Sequence, residues 1–121
     1  MNTVEIFQPK IRRGQIIFSK KGNYMVREIV TTVRSQTVYR GRVQGVGFRW
    51  RVKQILQTTK ITGFVRNKKD GTVELLLEGK TEEVGEVLKM VSKSMKDYWA
   101  SKNTVDRIGK PHFKEFSICD W

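Results

Sequence analysis

Apolar residues recur along the chain at two different spacings, and these spacings predict strands that alternate with helices. Residues 37–43 alternate between a face with Tyr39 and Val43 and a basic face with Arg40 and Arg42, as expected for a strand. From residue 47 to about residue 59 the apolar positions recur every three or four residues, which predicts a helix that buries one stripe. This stripe consists of Phe48, Val52, Ile55, Leu56 and Thr59.

The second half of the chain continues with two strands, a second helix and closing strands. Residues 61–67 and 72–79 are extended segments on either side of Asp70 and Gly71, a pair that closes tight hairpins. Thr81 then opens a helix as a candidate N-cap, with acidic residues in the first turn. The apolar stripe of this helix consists of Val84, Val87, Leu88, Val91 and Met95. Short closing strands are predicted at residues 105–108 and 113–119.

The order of these elements, β-α-β-β-α-β with an extra short strand, predicts an α+β fold of the ferredoxin-like sandwich type. In that fold a four- to five-stranded antiparallel sheet carries both helices on one face. Ahead of this pattern, apolar triplets at residues 16–18 and 24–26 surround a turn at Gly22, which predicts a β-hairpin or an arm. We therefore predict two parts, a basic N-terminal extension over residues 1–35 and a domain over residues 36–121.

The chain is strongly basic, with 24 Lys and Arg against 12 Asp and Glu and a net charge of +12. Such a surface attracts anions, so it fits small phosphorylated substrates and it also fits nucleic acid. A single cysteine, Cys119, excludes an internal disulfide and fits a reducing compartment. Because the sequence has no run long enough for a signal peptide core or a membrane span, we expect a cytoplasmic protein with no membrane partner. We also expect a monomer.

The stretch from Gly41 to Arg49 reads GRVQGVGFR and lies between the first strand and the first helix. Gly45 and Gly47 permit a tight turn whose amide N–H groups face one point, and the start of the helix adds unpaired donors there. Arg49 adds a planar guanidinium that can bind two phosphate oxygens at once. A glycine turn of this kind can also simply connect two elements. The predicted phosphate-binding residues are Gln44, Gly45, Val46, Gly47, Phe48 and Arg49.

A second stretch, residues 63–74, reads GFVRNKKDGTVE. Together with GRVQGVGFR, in this order and at this spacing, it resembles the two signature motifs of the acylphosphatase family, and the resemblance covers roughly residues 37–119. It implies the ferredoxin-like fold and an enzyme that hydrolyses the carboxyl-phosphate bond of acyl phosphates to carboxylate and orthophosphate. It also implies that Arg49 binds the phosphoryl group and that Asn67 orients the attacking water. Taken alone, Asn67 could equally stabilise the turn that follows it.

The resemblance implies chemistry that needs no cofactor and no metal. A carboxyl-phosphate anhydride is an activated substrate, so positioning a water molecule and stabilising charge are sufficient. The remaining residues agree, because the one histidine, His112, lies beside Pro111 in a predicted loop and no Cys, His and Asp cluster has metal-ligand spacing. One departure is that residues 94–101 replace the Gly-Pro step that usually follows the second helix in the family.

An alternative function is that of a basic ferredoxin-like module that binds nucleic acid or protein with little or no catalysis. RNA-recognition domains of this topology stack bases on aromatic residues of the open sheet face. Here the strand over residues 72–79 offers Glu74, Leu76 and Glu78 on that face, which is a poor platform. We expect the tryptophans to pack or to lie at helix or chain ends. These are Trp50, Trp99 and Trp121.

Overall fold

The computed structural model describes the backbone of residues 15–21 and 24–120 and the side chains of residues 31–120. Residues 1–14, the predicted turn at Gly22 and the last residue, Trp121, lie outside the described residues.

Seven strands and two helices make up the described part of the chain. The strands are β1 (Gln15–Lys21), β2 (Tyr24–Val30), β3 (Thr32–Gly41), β4 (Thr62–Asn67), β5 (Val73–Lys80), β6 (Trp99–Ile108) and β7 (Phe116–Cys119). The helices are α1 (Phe48–Leu56) and α2 (Thr81–Ser94). β1 and β2 pair with each other in a separate antiparallel sheet, which is the hairpin predicted for the extension.

The five other strands form one sheet in the order β6-β3-β5-β4-β7, and the core lies between this sheet and both helices. The ferredoxin-like α+β fold is therefore confirmed. The predicted sheet was antiparallel throughout, whereas β7 pairs with β4 in parallel, so the sheet is mixed. The reason is that the chain leaves β6 at one edge, crosses the sheet within residues 109–115 and enters β7 at the opposite edge.

The core is built on the apolar stripes that the spacing predicted. Phe48, Val52 and Leu56 of α1 are buried. The buried apolar residues of α2 are Val84, Val87 and Val91. Tyr39 of β3 is fully buried, and its ring packs against Phe48 with 5.0 Å between the ring centroids. Its hydroxyl forms a 2.8 Å hydrogen bond with Ser92 Oγ. Burial raises the pKa of Tyr39 to about 12, so the phenol stays protonated and serves as a packing group.

Two strands extend beyond the lengths that the sequence predicted. β3 begins at Thr32 and not at residue 37, and β6 begins at Trp99 and not at residue 105. β6 pairs with β3 along this length, from Val33 opposite Ile108 to Gly41 opposite Trp99. Its residues are mostly exposed and polar, so backbone hydrogen bonds stabilise the strand where no apolar alternation marks it.

Glu78 of β5 is buried on the sheet face opposite the helices. Its Oε2 accepts a 3.0 Å hydrogen bond from Arg34 Nε. Its Oε1 accepts hydrogen bonds from the backbone N–H groups of His112 and Phe113, at 2.8 and 2.9 Å. Glu78 therefore holds the crossing segment, residues 109–115, over the middle of the sheet.

Glu74 lies on the same face and is also buried. Its carboxylate accepts hydrogen bonds from Arg66 Nε and Gln36 Nε2, both at 2.6 Å. Burial acts to raise the pKa of Glu74, but the hydrogen bonds from Arg66 and Gln36 outweigh burial and hold the pKa below its usual range. The expectation that Glu74, Leu76 and Glu78 face solvent is wrong, because all three are buried.

We predict that Glu74→Gln lowers the free energy of unfolding by about 1–3 kcal/mol at pH 7, because it removes a charge-assisted hydrogen bond. A carboxylate whose pKa is lowered on folding stabilises the fold above its unfolded pKa of about 4.3, and this contribution disappears as the pH falls through the lower folded pKa. The difference in the free energy of unfolding between wild type and Glu74→Gln should therefore shrink on acidification below about pH 4. Chemical denaturation between pH 7 and pH 3 measures it.

The exposed Glu86→Gln on α2 is the matched control, and it should change stability by less than about 0.5 kcal/mol at each pH. A difference between wild type and Glu74→Gln that stays constant over this range would contradict the prediction.

Candidate active site

The glycine turn between β3 and α1 has the backbone of an anion-binding turn. Gly45 and Gly47 have φ angles of 75° and 81°, in the left-handed region that glycine adopts without strain. Gly47 caps α1 with no side-chain hydrogen bond, and the first turn of α1 holds no acidic residue. Among the described residues, no hydrogen bond uses the amide N–H groups of residues 44–48. These donors and the positive end of the helix dipole are therefore available to an anion.

Gln44 connects this turn to the turn between β4 and β5. Its side-chain Nε2 donates to the carbonyl oxygens of Lys68 and Thr72, at 2.7 and 2.9 Å. The Gln44 side chain therefore fixes the position of the glycine turn, a role that the prediction of a phosphate-binding residue did not include.

The second turn follows Asn67, the last residue of β4. Asp70 Oδ1 accepts hydrogen bonds from the hydroxyl of Thr72 at 2.6 Å and from its backbone N–H at 3.0 Å, and these bonds hold the pKa of Asp70 below its usual range. Gly71 has a φ of 90°, and its N–H donates to the carbonyl oxygen of Lys68. Hydrogen bonds within the turn thus order the residues that follow Asn67.

Asn67 itself carries a buried acceptor without a partner. Its Oδ1 is inaccessible to solvent, and it accepts no hydrogen bond from the described residues. Leaving such an atom unpaired costs about 1–3 kcal/mol, so buried side chains with this property often serve a function. The turn-stabilising role that Asn67 could have had does not use this oxygen.

Arg49 projects from the first turn of α1 toward the end of the chain. Its Nη1 lies 3.0 Å from Asp120 Oδ1, and its side chain is 33% exposed whereas that of Asp120 is 92% exposed. An ion pair this exposed contributes at most about 1 kcal/mol, so Arg49 can exchange Asp120 for another anion at low cost.

One pocket of about 280 Å³ collects most of these groups. Of the residues predicted from the sequence, it is lined by Gly45, Gly47, Phe48, Arg49 and Asn67. It is also lined by Val43, Trp50, Ile118 and Asp120, which were not predicted. Gln44 and Val46 do not line it: Gln44 holds the turn as described, and Val46 packs against the core.

The unpredicted residues differ in the signal that could have identified them. Trp50 follows Arg49 directly, so the sequence could have predicted that Trp50 lies beside the phosphate-binding turn. Asp120 lies 71 positions from Arg49 and reaches it because β7 pairs with β4, which places Ile118 beside Val65. Nothing in the local sequence marks that pairing.

The histidine and the cysteine that the sequence offered both lie outside the pocket. His112 lies in the crossing segment, and Cys119 is a half-buried free thiol in β7. Among residues 31–120, whose side chains the structure describes, no three side chains of His, Cys, Asp or Glu form a group that could hold a metal ion. No helix in the same part of the chain is both long enough and apolar enough to span a membrane.

Comparison with known proteins agrees with the fold and the motifs. Residues 35–118 match the family model for acylphosphatase. An acylphosphatase from Methanospirillum hungatei is 35% identical over 88 residues, which cover 73% of this chain and 89% of the relative. One from Acidothermus cellulolyticus is 37% identical over 89 residues, or 74% of each chain. The crystal structure of acylphosphatase from Bacillus subtilis superposes with a TM-score of 0.60 at 28% identity, covering 72% of this chain and 98% of that one.

The chain therefore belongs to the acylphosphatase family and is an enzyme. The family membership that the two motifs predicted is therefore confirmed.

We predict that Gln44→Ala weakens the binding of orthophosphate several-fold and lowers the free energy of unfolding by about 1–2 kcal/mol. The substitution removes both hydrogen bonds that join the two turns, and each bond contributes about 0.5–1.5 kcal/mol. Titration with phosphate followed by amide chemical shifts, together with urea denaturation, measures both effects.

The control is Gln54→Ala, which removes an exposed glutamine from the middle of α1. If Gln44→Ala binds phosphate as tightly as this control does, the two turns do not depend on Gln44 for their position.

Proposed function

We propose that the enzyme hydrolyses acyl phosphates to carboxylate and orthophosphate in the pocket between the glycine turn and Asn67. The observation that carries this proposal is that open backbone donors, a guanidinium and the unpaired side-chain amide of Asn67 meet at one pocket. The first two groups suit a phosphoryl group, and the third suits a water molecule beside it. The substrate partner is a small acyl phosphate, and the free thiol of Cys119 is compatible with the reducing cytoplasm.

The phosphoryl group binds to the glycine turn. The amide N–H groups of Gly45, Gly47 and Phe48, which line the pocket, donate to its oxygens, and the dipole of α1 favours its negative charge. Arg49 contributes a planar pair of N–H donors to two further oxygens, and it leaves Asp120 when it does so. The backbone donors of the glycine turn are held in place before the substrate arrives, so they stabilise charge in the transition state without reorganisation.

Asn67 positions the nucleophile. The Asn67 side-chain amide lines the pocket and its Oδ1 has no partner among the described residues, so the amide can turn its oxygen toward a water molecule and its N–H₂ toward a phosphoryl oxygen. Because β4 and the hydrogen-bonded turn after it fix the backbone of Asn67, the water is directed at phosphorus in line with the acyl oxygen.

The reaction then needs little further chemistry. The water oxygen forms a bond to phosphorus while the bond between phosphorus and the acyl oxygen breaks, and the carboxylate leaves with the electron pair. A carboxylate is a stable leaving group, and the attacking water loses its proton to the phosphate formed or to solvent. Positioning and electrostatic stabilisation, which dominate phosphoryl transfer, are therefore sufficient.

The sheet face opposite the helices argues against the alternative of a nucleic-acid-binding module. Base stacking in domains of this topology uses aromatic residues on an open face. In this chain the centre of that face holds the buried Glu74, Leu76 and Glu78, and residues 109–115 cross over it. The net charge of +12 then serves to attract anionic substrates in general.

We predict that Arg49→Gln and Asn67→Ala each reduce kcat/KM for an acyl phosphate at least about 100-fold, because each removes a group that acts in the transition state. Neither side chain belongs to a core stripe, so the melting temperature should fall by no more than a few degrees. The assay uses benzoyl phosphate with a chelator present.

Matched controls are Arg51→Gln on the exposed side of α1 and Asn103→Ala on β6, and both should keep activity near that of wild type. The assignment is wrong if a folded Arg49→Gln or Asn67→Ala protein hydrolyses the substrate at the rate of its control.

We further predict that Asp120→Asn lowers KM for acyl phosphates about two- to fivefold, because the substitution removes a negative charge that competes for Arg49. The effect should weaken at high salt, since the pair is exposed and charges at the surface are screened. Initial rates at low and at high ionic strength measure it. A raised KM would show instead that Asp120 helps Arg49 to bind the substrate.

A further inference from the structure

Trp50 is the most exposed large apolar side chain among the described residues, at 60%. Trp99, the other tryptophan whose side chain the structure describes, packs against Tyr39 with 5.9 Å between the ring centroids. Its Nε1 donates a hydrogen bond to the carbonyl oxygen of Ser92, and the Lys102 ammonium lies over its ring. Within the part of the chain whose side chains are described, the Trp50 ring makes no such ring or cation contact. The described part of the fold therefore does not pack a ring or a cation on this indole.

The position of Trp50 connects it to the phosphate pocket. It follows Arg49 in the first turn of α1 and lines the same pocket as Arg49 and Asn67. The half-buried Ile118 lines this pocket too, with the buried Val43 and Phe48. The pocket thus combines polar phosphate-binding groups with an apolar wall that the phosphoryl group does not need.

We propose that Trp50 binds the acyl group of the substrate and that the enzyme prefers acyl phosphates with an aromatic acyl group. This inference rests on the proposed function, since the phosphoryl group has to lie at the glycine turn for the acyl group to reach Trp50. A planar indole exposed to solvent at a pocket gains most from a planar apolar partner that stacks on it. Asp120, which lines the same pocket and holds its carboxylate beside Arg49, disfavours an acyl group with a second negative charge.

The test compares kcat/KM for benzoyl phosphate and acetyl phosphate, which share the reacting group and differ in the acyl group. Wild type should prefer benzoyl phosphate. Trp50→Ala should reduce the ratio of the two kcat/KM values about three- to tenfold, the range that one aromatic pair contributes. The loss should lie mainly in KM for benzoyl phosphate, because stacking on the acyl group is the same in the ground state and the transition state.

Two further variants separate this effect from a general one. Trp50→Phe keeps an aromatic face and should retain most of the wild-type ratio. Met90→Ala removes an exposed apolar side chain from α2, outside the pocket, and should leave the ratio unchanged. Circular dichroism establishes that each variant is folded.

The outcomes distinguish the inference from the proposed function. If wild type hydrolyses both substrates and Trp50→Ala leaves the ratio unchanged, the acyl group does not bind at Trp50 and the inference is overturned. An equal loss with both substrates overturns it as well, since Trp50 would then act on the shared phosphoryl chemistry. If folded wild type hydrolyses neither substrate, the proposed function fails and the inference fails with it.

Discussion

The backbone amides of the glycine turn have no hydrogen-bond partner in the part of the chain that the structure describes, and the arrangement of the surrounding elements depends on keeping them unpaired. A row of free N–H groups is unfavourable unless water or an anion satisfies it, so the turn needs support that does not use its own donors. The structure supplies this support from outside the turn. Val43 and Phe48 bury both ends of the turn in the core, and the side chain of Gln44 ties it to two carbonyl oxygens of the next turn.

The mixed sheet determines what surrounds these donors. β4 ends at Asn67, and the parallel pairing of β7 with β4 brings Ile118 and Asp120 to the same end of the sheet. That pairing requires the chain to cross three strands after β6, and the buried Glu78 holds the crossing segment through two backbone amides. A carboxylate far from the pocket therefore helps to place one wall of it. The strength of such buried, charge-assisted hydrogen bonds makes this an effective anchor.

Much of the fold and the centre of the site could be predicted because their signals are local. The period of the apolar residues identifies both helices, and the two glycines with Arg49 lie within a few residues of one another. Asn67 was identified through the resemblance of residues 63–74 to a family motif, whereas the helices, the two glycines and Arg49 carry local signals. These features need only the geometry of a single element or a single turn.

The features that could not be predicted depend on tertiary pairing. β6 is stabilised by backbone bonds to β3 while its side chains stay polar, so no hydrophobic pattern shows its length. The burial of Glu74 and Glu78 follows from partners on other strands, and the contact of Arg49 with Asp120 joins residues 71 positions apart.

The central claim is that water attacks phosphorus at this pocket, and the position of the broken bond tests it most directly. Hydrolysis of benzoyl phosphate by the wild-type enzyme in water enriched in oxygen-18, with a chelator present, places the label on one of the two products. We predict that the label appears in orthophosphate and that benzoate stays unlabelled, since the bond between phosphorus and the acyl oxygen breaks. Label in benzoate would show attack at the carbonyl carbon and would contradict the roles proposed for the glycine turn and Asn67.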